Sequence, residues 1–215
     1  MIETAERGGV QGVSAYIWDL DGTLLDSYNV IIRAAMQAAA EAGIHDSAED
    51  VLKKVKRASL TAYLKDVSER SHSTYENLNE DYRRYTHSLD EEICLMPHAK
   101  EVLERLQKSG AEHYVFTHRG ASSQPILQRL GILDFFREVV TAEYGFPSKP
   151  SGDGLRYLLE KYGLDPKTTW YIGDRSMDVL CAKDAGVRAV LLLPEDSWVL
   201  PTGKEDRLIP DLGAL

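Results

Sequence analysis

The chain has 215 residues, 43% hydrophobic and 27% charged, with a formal net charge of −9. That is the make-up of a folded globular protein, either one large domain or a core carrying a smaller insertion. An acidic chain with no run of Lys or Arg lacks the electrostatic footprint for nucleic acid or an anionic membrane surface.

Along the chain, Gly8-Gly9-Val10-Gln11-Gly12 reads as a loose lead-in. Its glycines precede a strand rather than joining a strand to a helix, so they do not make a phosphate loop. Ala15-Tyr16-Ile17-Trp18 is apolar throughout, the pattern of a strand buried on both faces. Residues 27–96 carry helical periodicity and no convincing strand. One helix covers 28–42, with Val30, Ile31, Ala34, Ala35 and Ala38 on one side; a second is marked by Val51, Leu52 and Val55; two more cover 60–67 and 75–89. A block of that length is too long for a plain crossover and predicts an inserted helical cap ending near Pro97.

Four further strand candidates follow, at 113–116, 138–141, 169–172 and 188–193. They alternate with helical patterns at 99–109, 122–130, 155–162 and 176–185, each closed by a glycine: Gly110, Gly131, Gly163 and Gly186. Strand and helix alternating at this pace predict an α/β fold: a doubly wound parallel sheet (Rossmann-like) formed by 1–26 and 97–215, broken by an all-helical cap over 27–96. No apolar run nears the roughly 18 residues of a spanning helix, and Met1-Ile2-Glu3-Thr4 does not start a signal peptide. Cys94 and Cys181 stand too far apart for a zinc spacing or a disulfide framework and suggest reduced thiols. The expected location is cytoplasmic.

The first chemical signal is Asp19-Leu20-Asp21-Gly22-Thr23, directly after the apolar strand. Two carboxylates this close disfavour each other's ionisation unless a cation or donors neutralise them. The bland alternative is a polar loop before a helix capped at Asp26-Ser27. The second signal is Gly173-Asp174-Arg175-Ser176-Met177-Asp178, where another buried strand delivers a carboxylate; capping of the next helix is the competing account. Thr117 ends the strand Tyr114-Val115-Phe116, and Lys149 lies between Pro147 and Pro150; alone, each is ordinary loop chemistry. Parallel strands put their C-terminal ends along one edge, so one crevice could hold Asp19, Thr117, Lys149 and Asp174. With Asp21 and Asp178 ionised the charge there is about −3, which repels a phosphate unless a divalent cation is present. Oxygen-only ligands favour Mg²⁺ over zinc.

Asp19-x-Asp21-Gly22-Thr23, Thr117, Lys149 and Gly173-Asp174-x-x-x-Asp178 resemble, in order, the four motifs of the haloacid dehalogenase-like superfamily. The insert lies where the phosphoglycolate-phosphatase-like branch carries its cap. The resemblance implies Asp19 as nucleophile and metal ligand, and Asp21 as acid and base with its backbone carbonyl on Mg²⁺. It implies Asp174 as a further ligand, Asp178 as a direct or outer-sphere orienter, and Thr117 and Lys149 as phosphoryl binders. Backbone N–H groups of Leu20, Asp21 and His118 would add donors. The activity implied is hydrolysis of small phosphorylated metabolites by a monomer or homodimer. A β-phosphoglucomutase-like mutase and a receiver-like phospho-aspartate module remain alternatives.

Three features depart from the common pattern or bear on substrate choice. Thr117-His118-Arg119-Gly120 places an arginine that either grips an anionic substrate tail or is simply exposed. Gly152 and Gly154 weaken the helix start after Pro150, so Lys149 is expected to be less rigidly held. In the cap, Lys54, Lys56, Arg57 and Ser59 either present basic groups to the crevice, with Lys56 and Arg57 as substrate contacts, or form a solvated helix face with Ser59 as a cap.

Overall fold

The computed structural model describes residues 15–195 and 197–215, so the glycine-rich lead-in at 8–12 lies outside the described residues. The sheet opens with β1 (Ala15–Trp18), followed by the two-residue β2 (Leu25–Asp26). Four helices come next: α1 (Tyr28–Glu41), α2 (Ala48–Arg57), α3 (Leu60–Arg70) and α4 (Tyr75–Leu89). The chain returns through β3 (Cys94–Leu95) and α5 (Ala99–Lys108) to β4 (Glu112–Phe116). Then follow α6 (Ser123–Arg129), β5 (Phe136–Val140), α7 (Asp153–Tyr162), β6 (Thr169–Gly173), α8 (Ser176–Ala185), β7 (Arg188–Leu192) and β8 (Arg207–Ile209).

Six strands form one parallel sheet in the order β5-β4-β1-β6-β7-β8. After β1 the chain builds outward through β4 and β5, then crosses back to lay β6, β7 and β8 on the other side. The reversal puts β1 at the centre, which is the switch point where open α/β sheets bind ligands.

Period-two alternation divides the core between the two faces. Trp18, Val115, Ile172 and Val190 pack with Val102, Leu103 and Leu106 of α5 and Ile126 and Leu127 of α6. Their neighbours Ile17, Tyr114, Tyr171 and Ala189 face Leu155, Leu158 and Leu159 of α7 and Val179 and Ala182 of α8. A third cluster lies within α1–α4, where Ile31, Ala35, Val51, Val55, Tyr63, Leu64, Val67 and Leu78 pack together. No helix among the described residues is long and apolar enough to cross a membrane.

Three strands were not foreseen. β8 is only Arg207-Leu208-Ile209, stopped by Pro210, too short to carry a period. β2 and β3 form a separate antiparallel pair, Leu25 with Leu95 and Asp26 with Cys94. They tie together the outgoing and returning connections of the four-helix insert, so 27–96 holds a strand after all.

Candidate active site

β1 ends at Trp18 and hands Asp19 to the C-terminal edge of the sheet. Asp19 N–H donates to Ile172 C=O at 2.9 Å, which stitches the first residue of the loop to β6. A tight turn follows: Thr23, Leu24 and Leu25 all donate to Leu20 C=O. Gly22 has φ of +80°, and a Cβ there would lie 2.2 Å from Tyr28 Cε2 and 2.5 Å from Asp174 Oδ2. Only glycine meets both demands.

β6 delivers Asp174 beside it. Asp178 enters from the first turn of α8, where its Oδ2 accepts from Arg175 N–H at 3.0 Å. Carboxylate oxygens of Asp19, Asp174 and Asp178 all lie within 4.8 Å of one another. Lys149 Nζ spans two of them, donating to Asp19 Oδ1 at 2.7 Å and to Asp178 Oδ1 at 2.8 Å with its side chain fully buried. Thr117 is buried, donates its N–H to Val140 C=O at 3.0 Å, and accepts at Oγ1 from Arg119 N–H at 3.1 Å.

Lys149 is therefore firmly held, contrary to the expectation from its glycines. Those glycines serve close packing: a Cβ at Gly152 would lie 2.7 Å from Ala185 N, and one at Gly154 2.4 Å from Phe116 Cε2. The Lys149 backbone N–H also donates to His118 Nε2 at 2.9 Å. The imidazole of His118 is thus occupied as an acceptor, which leaves its main chain for any oxyanion contact.

Burial pushes the Asp19 carboxyl up to about 7, with Lys149 opposing and Asp178 and Asp174 adding to the rise. For Asp178, burial acts upward, but the Lys149 and Arg175 charges outweigh it and hold the group low. Burial of Asp21 is likewise outweighed by the charge and hydrogen bonds of Arg119. Arg119 is not exposed: Nη2 lies 2.7 Å from Asp21 Oδ1, Nη1 lies 3.2 Å from Asp90 Oδ1, and 7% of the side chain is exposed. The account of it as a solvated arginine is corrected, because a carboxylate on each side claims its guanidinium.

The cap residues divide. Lys56 reaches Asp174 Oδ2 at 2.6 Å, where Tyr28 OH also donates at 3.0 Å, and its ammonium lies 3.9 Å from the Tyr28 ring centre. Arg57 instead donates from Nε to Trp198 C=O at 3.1 Å, Lys54 pairs with Asp66, and Ser59 caps α3 by accepting from Ala62 N–H. Arg57 is thus spent on a core loop rather than brought to the carboxylates.

Sequence reasoning missed Tyr28, Asp90 and Arg175, whose guanidinium stands 4.0 Å from Asp174 Oδ1. Tyr28 follows the first motif by five residues but reads as the start of a cap helix, and Asp90 lies far from any motif; Arg175 lay inside the fourth motif and was the one within reach. With them the charge balance changes. Asp19, Asp21, Asp90, Asp174 and Asp178 face Lys149, Arg119, Lys56 and Arg175, so five carboxylates meet four cations and net repulsion is only a weak argument for a metal. Asp19 Oδ2 and Asp174 Oδ1 point to one instead, since both are buried and have no hydrogen-bond partner among the described residues. Unpartnered buried carboxylate oxygens are costly unless a cation meets them. This all-oxygen set fits a hard divalent ion such as Mg²⁺.

Residues 16–192 match the model of the haloacid dehalogenase-like hydrolase family. The chain is 30% identical over 195 residues to the phosphoglycolate phosphatase of Pasteurella multocida, covering 86% of this chain and 87% of that one. It is 30% identical over 213 residues to a chain carrying a pyrophosphatase name from Caldanaerobacter subterraneus, covering 94% and 93%. Among solved structures, one described as a predicted phosphoglycolate phosphatase from Haemophilus somnus superposes with a TM-score of 0.78 at 25% identity, covering 95% of this chain and 96% of that one. Taken with the carboxylates gathered at the switch point, these matches mean that the chain belongs to the haloacid dehalogenase-like hydrolase family, as a phosphatase of its phosphoglycolate-phosphatase-like branch.

Proposed function

We propose that the chain hydrolyses small phosphomonoesters, phosphoglycolate-like or sugar phosphates, in a Mg²⁺-dependent reaction through an aspartyl phosphate on Asp19. The observation that carries the reading is Asp19 itself. One of its oxygens is held by Lys149 and the other is left free among two further carboxylates, the arrangement a positioned carboxylate nucleophile needs.

An oxygen of Asp19 attacks phosphorus, and the P–O bond to the alcohol breaks as Asp21, protonated for this half-reaction although Arg119 favours its ionised form, gives that oxygen its proton. Asp21 then takes a proton from water, whose oxygen attacks the same phosphorus, freeing inorganic phosphate and restoring Asp19. Lys149 and Thr117 neutralise and bind the transferring oxygens. Asp19, Asp174 and the Asp21 carbonyl would hold Mg²⁺, with Asp178 orienting; the ion supplies charge neutralisation at the nucleophile and the phosphoryl group. Lys56 and Tyr28 stand on the cap side of the crevice, placed to meet the rest of the substrate and to exclude water when the cap is closed. The reading sets the enzyme in the cytoplasm, in keeping with free thiols at Cys94 and Cys181.

Phosphate release from 2-phosphoglycolate and p-nitrophenyl phosphate, with and without Mg²⁺, tests it. Turnover should require the metal, yield free phosphate rather than an isomerised sugar phosphate, and fall at least ~10³-fold in Asp19→Asn. Unchanged turnover in that variant would remove Asp19 as nucleophile.

A further inference from the structure

Arg119 has its donors distributed over three parts of the molecule. Nε lies 3.0 and 3.3 Å from the two carboxylate oxygens of Asp21, and Nη2 lies 2.7 Å from Oδ1. Nη1 reaches Ser122 Oγ at 3.2 Å, within its own loop, and Asp90 Oδ1 at 3.2 Å. Asp90 sits just past α4, on the path back from the cap, and its carbonyl accepts from Arg129 Nη2 at 2.9 Å. The loop carrying Arg119 is pinned as well: its N–H donates to Thr117 Oγ1, and its C=O accepts from Ala142 N–H at 3.2 Å.

A substrate clamp would keep part of its planar fork free, yet here both edges are taken by carboxylates. The geometry points to a different part for it: Arg119 is the positioning residue for Asp21, and through Asp90 it ties the orientation of that carboxylate to the cap's return connection. A carboxylate that must face the leaving oxygen in one half-reaction and a water in the next has to be aimed. Asp21 is 21% exposed, and Arg119 makes three contacts to its two carboxylate oxygens. If opening of the cap shifts the return connection against its Arg129 tether, Arg119 would lose one of its two anchors. Asp21 is then correctly aimed only while the crevice is closed.

The inference rests on the phosphatase reading, with Asp21 as the proton-transfer group, and its test separates the two. First-turnover rates of alcohol release are measured by quench flow, with Mg²⁺, on 2-phosphoglycolate and on p-nitrophenyl phosphate. The alkoxide of the first needs a proton to leave; the nitrophenolate of the second does not. Wild type, Arg119→Met, Arg119→Lys, Asp90→Asn and the Asp90→Asn/Arg119→Met double variant are compared.

Arg119→Met should slow the alkyl ester about 100-fold and the aryl ester far less, with KM changed by no more than about twofold. Arg119→Lys should recover part of the loss. Asp90→Asn should slow the alkyl ester alone and add nothing further in the Arg119→Met background. A raised KM with the first-turnover rate kept would make Arg119 a substrate clamp, and equal losses on both esters would make it a structural tie; either result overturns the inference. Should Arg119→Met fail to fold, Arg119→Lys and Asp90→Asn carry the same comparison. An active wild type with unaffected variants ends this inference only, whereas a wild type inactive on both esters ends the phosphatase reading and the inference with it.

Discussion

One ammonium serves two buried carboxylates at the centre of the crevice, and this shapes how each of them behaves. Lys149 bonds Asp19 and Asp178 at nearly equal distances, but Asp178 has a second support in the Arg175 N–H, so its carboxyl is held low while burial pushes that of Asp19 up. Elsewhere in the core a titratable group is buried without any charge partner. His113 Nδ1 accepts from Trp18 Nε1–H at 3.1 Å, which leaves Nε2–H to donate to Leu103 C=O at 3.1 Å. Burial lowers its pKa from 6.5 to about 4. Because the folded value lies below the unfolded one, the contribution of His113 is fully present above pH 6.5 and is lost as pH falls from there towards about 4. Thermal unfolding of the metal-free protein should therefore weaken across that window by roughly 3 kcal/mol. In His113→Gln that part of the slope should vanish, with lower stability at neutral pH; a slope identical to wild type would refute the assignment.

At the scale of elements, the junction of α7 and α8 sets how well Lys149 is placed. Gly152 lies so close to Ala185 and to the Cys181 carbonyl that an added methyl meets backbone atoms, which cannot swing aside as a side chain would. Gly152→Ala should cost about 1–3 kcal/mol by overpacking, read as a lower melting temperature. It should also reduce turnover, because α7 begins at Asp153, four residues after Lys149. Wild-type stability in this variant would mean that the contact is soft. The same elements mark what was legible beforehand. β1, β4, β6 and β7 are continuous apolar runs with glycine-terminated helices between them, and such runs have few other places to go in a folded chain. β2, β3 and β8 span two or three residues and exist only because partners lie alongside. Asp19 and Asp174 were visible because each directly follows a strand. Arg119 was misread because a lone arginine carries no sign of which carboxylate will claim it, and Lys56 and Arg57 look equivalent until the turn of α2 sends one to Asp174 and the other to Trp198.

For the molecule as a whole, we propose that the α1–α4 bundle acts as a cap that opens and closes over the sheet edge. Val30 of α1 packs into the core cluster and Arg119 pairs with Asp90; further contacts that close it are polar or cationic: Lys56 and Tyr28 to Asp174, Arg57 to the Trp198 carbonyl, and Lys53 at 5.3 Å from the Trp198 ring centre. Interfaces of this kind open readily. A broad-specificity protease should cut near Asp26-Ser27 and Met96-Pro97 faster in the free protein than with Mg²⁺ and a phosphate analogue bound. Equal cleavage in both states would argue for a fixed cap.

The paired ribbon of Leu25–Asp26 and Cys94–Leu95 bears on how such an insert can be carried at all. Its two crossings leave the core hydrogen-bonded side by side, so the ends of everything between them are held together. Loop-closure entropy then rises only by about 0.6 kcal/mol for each doubling of the enclosed length. The core is accordingly almost indifferent to how much chain is threaded through that point, and helices can be added or lost there while Asp19 and Asp174 stay where the sheet puts them.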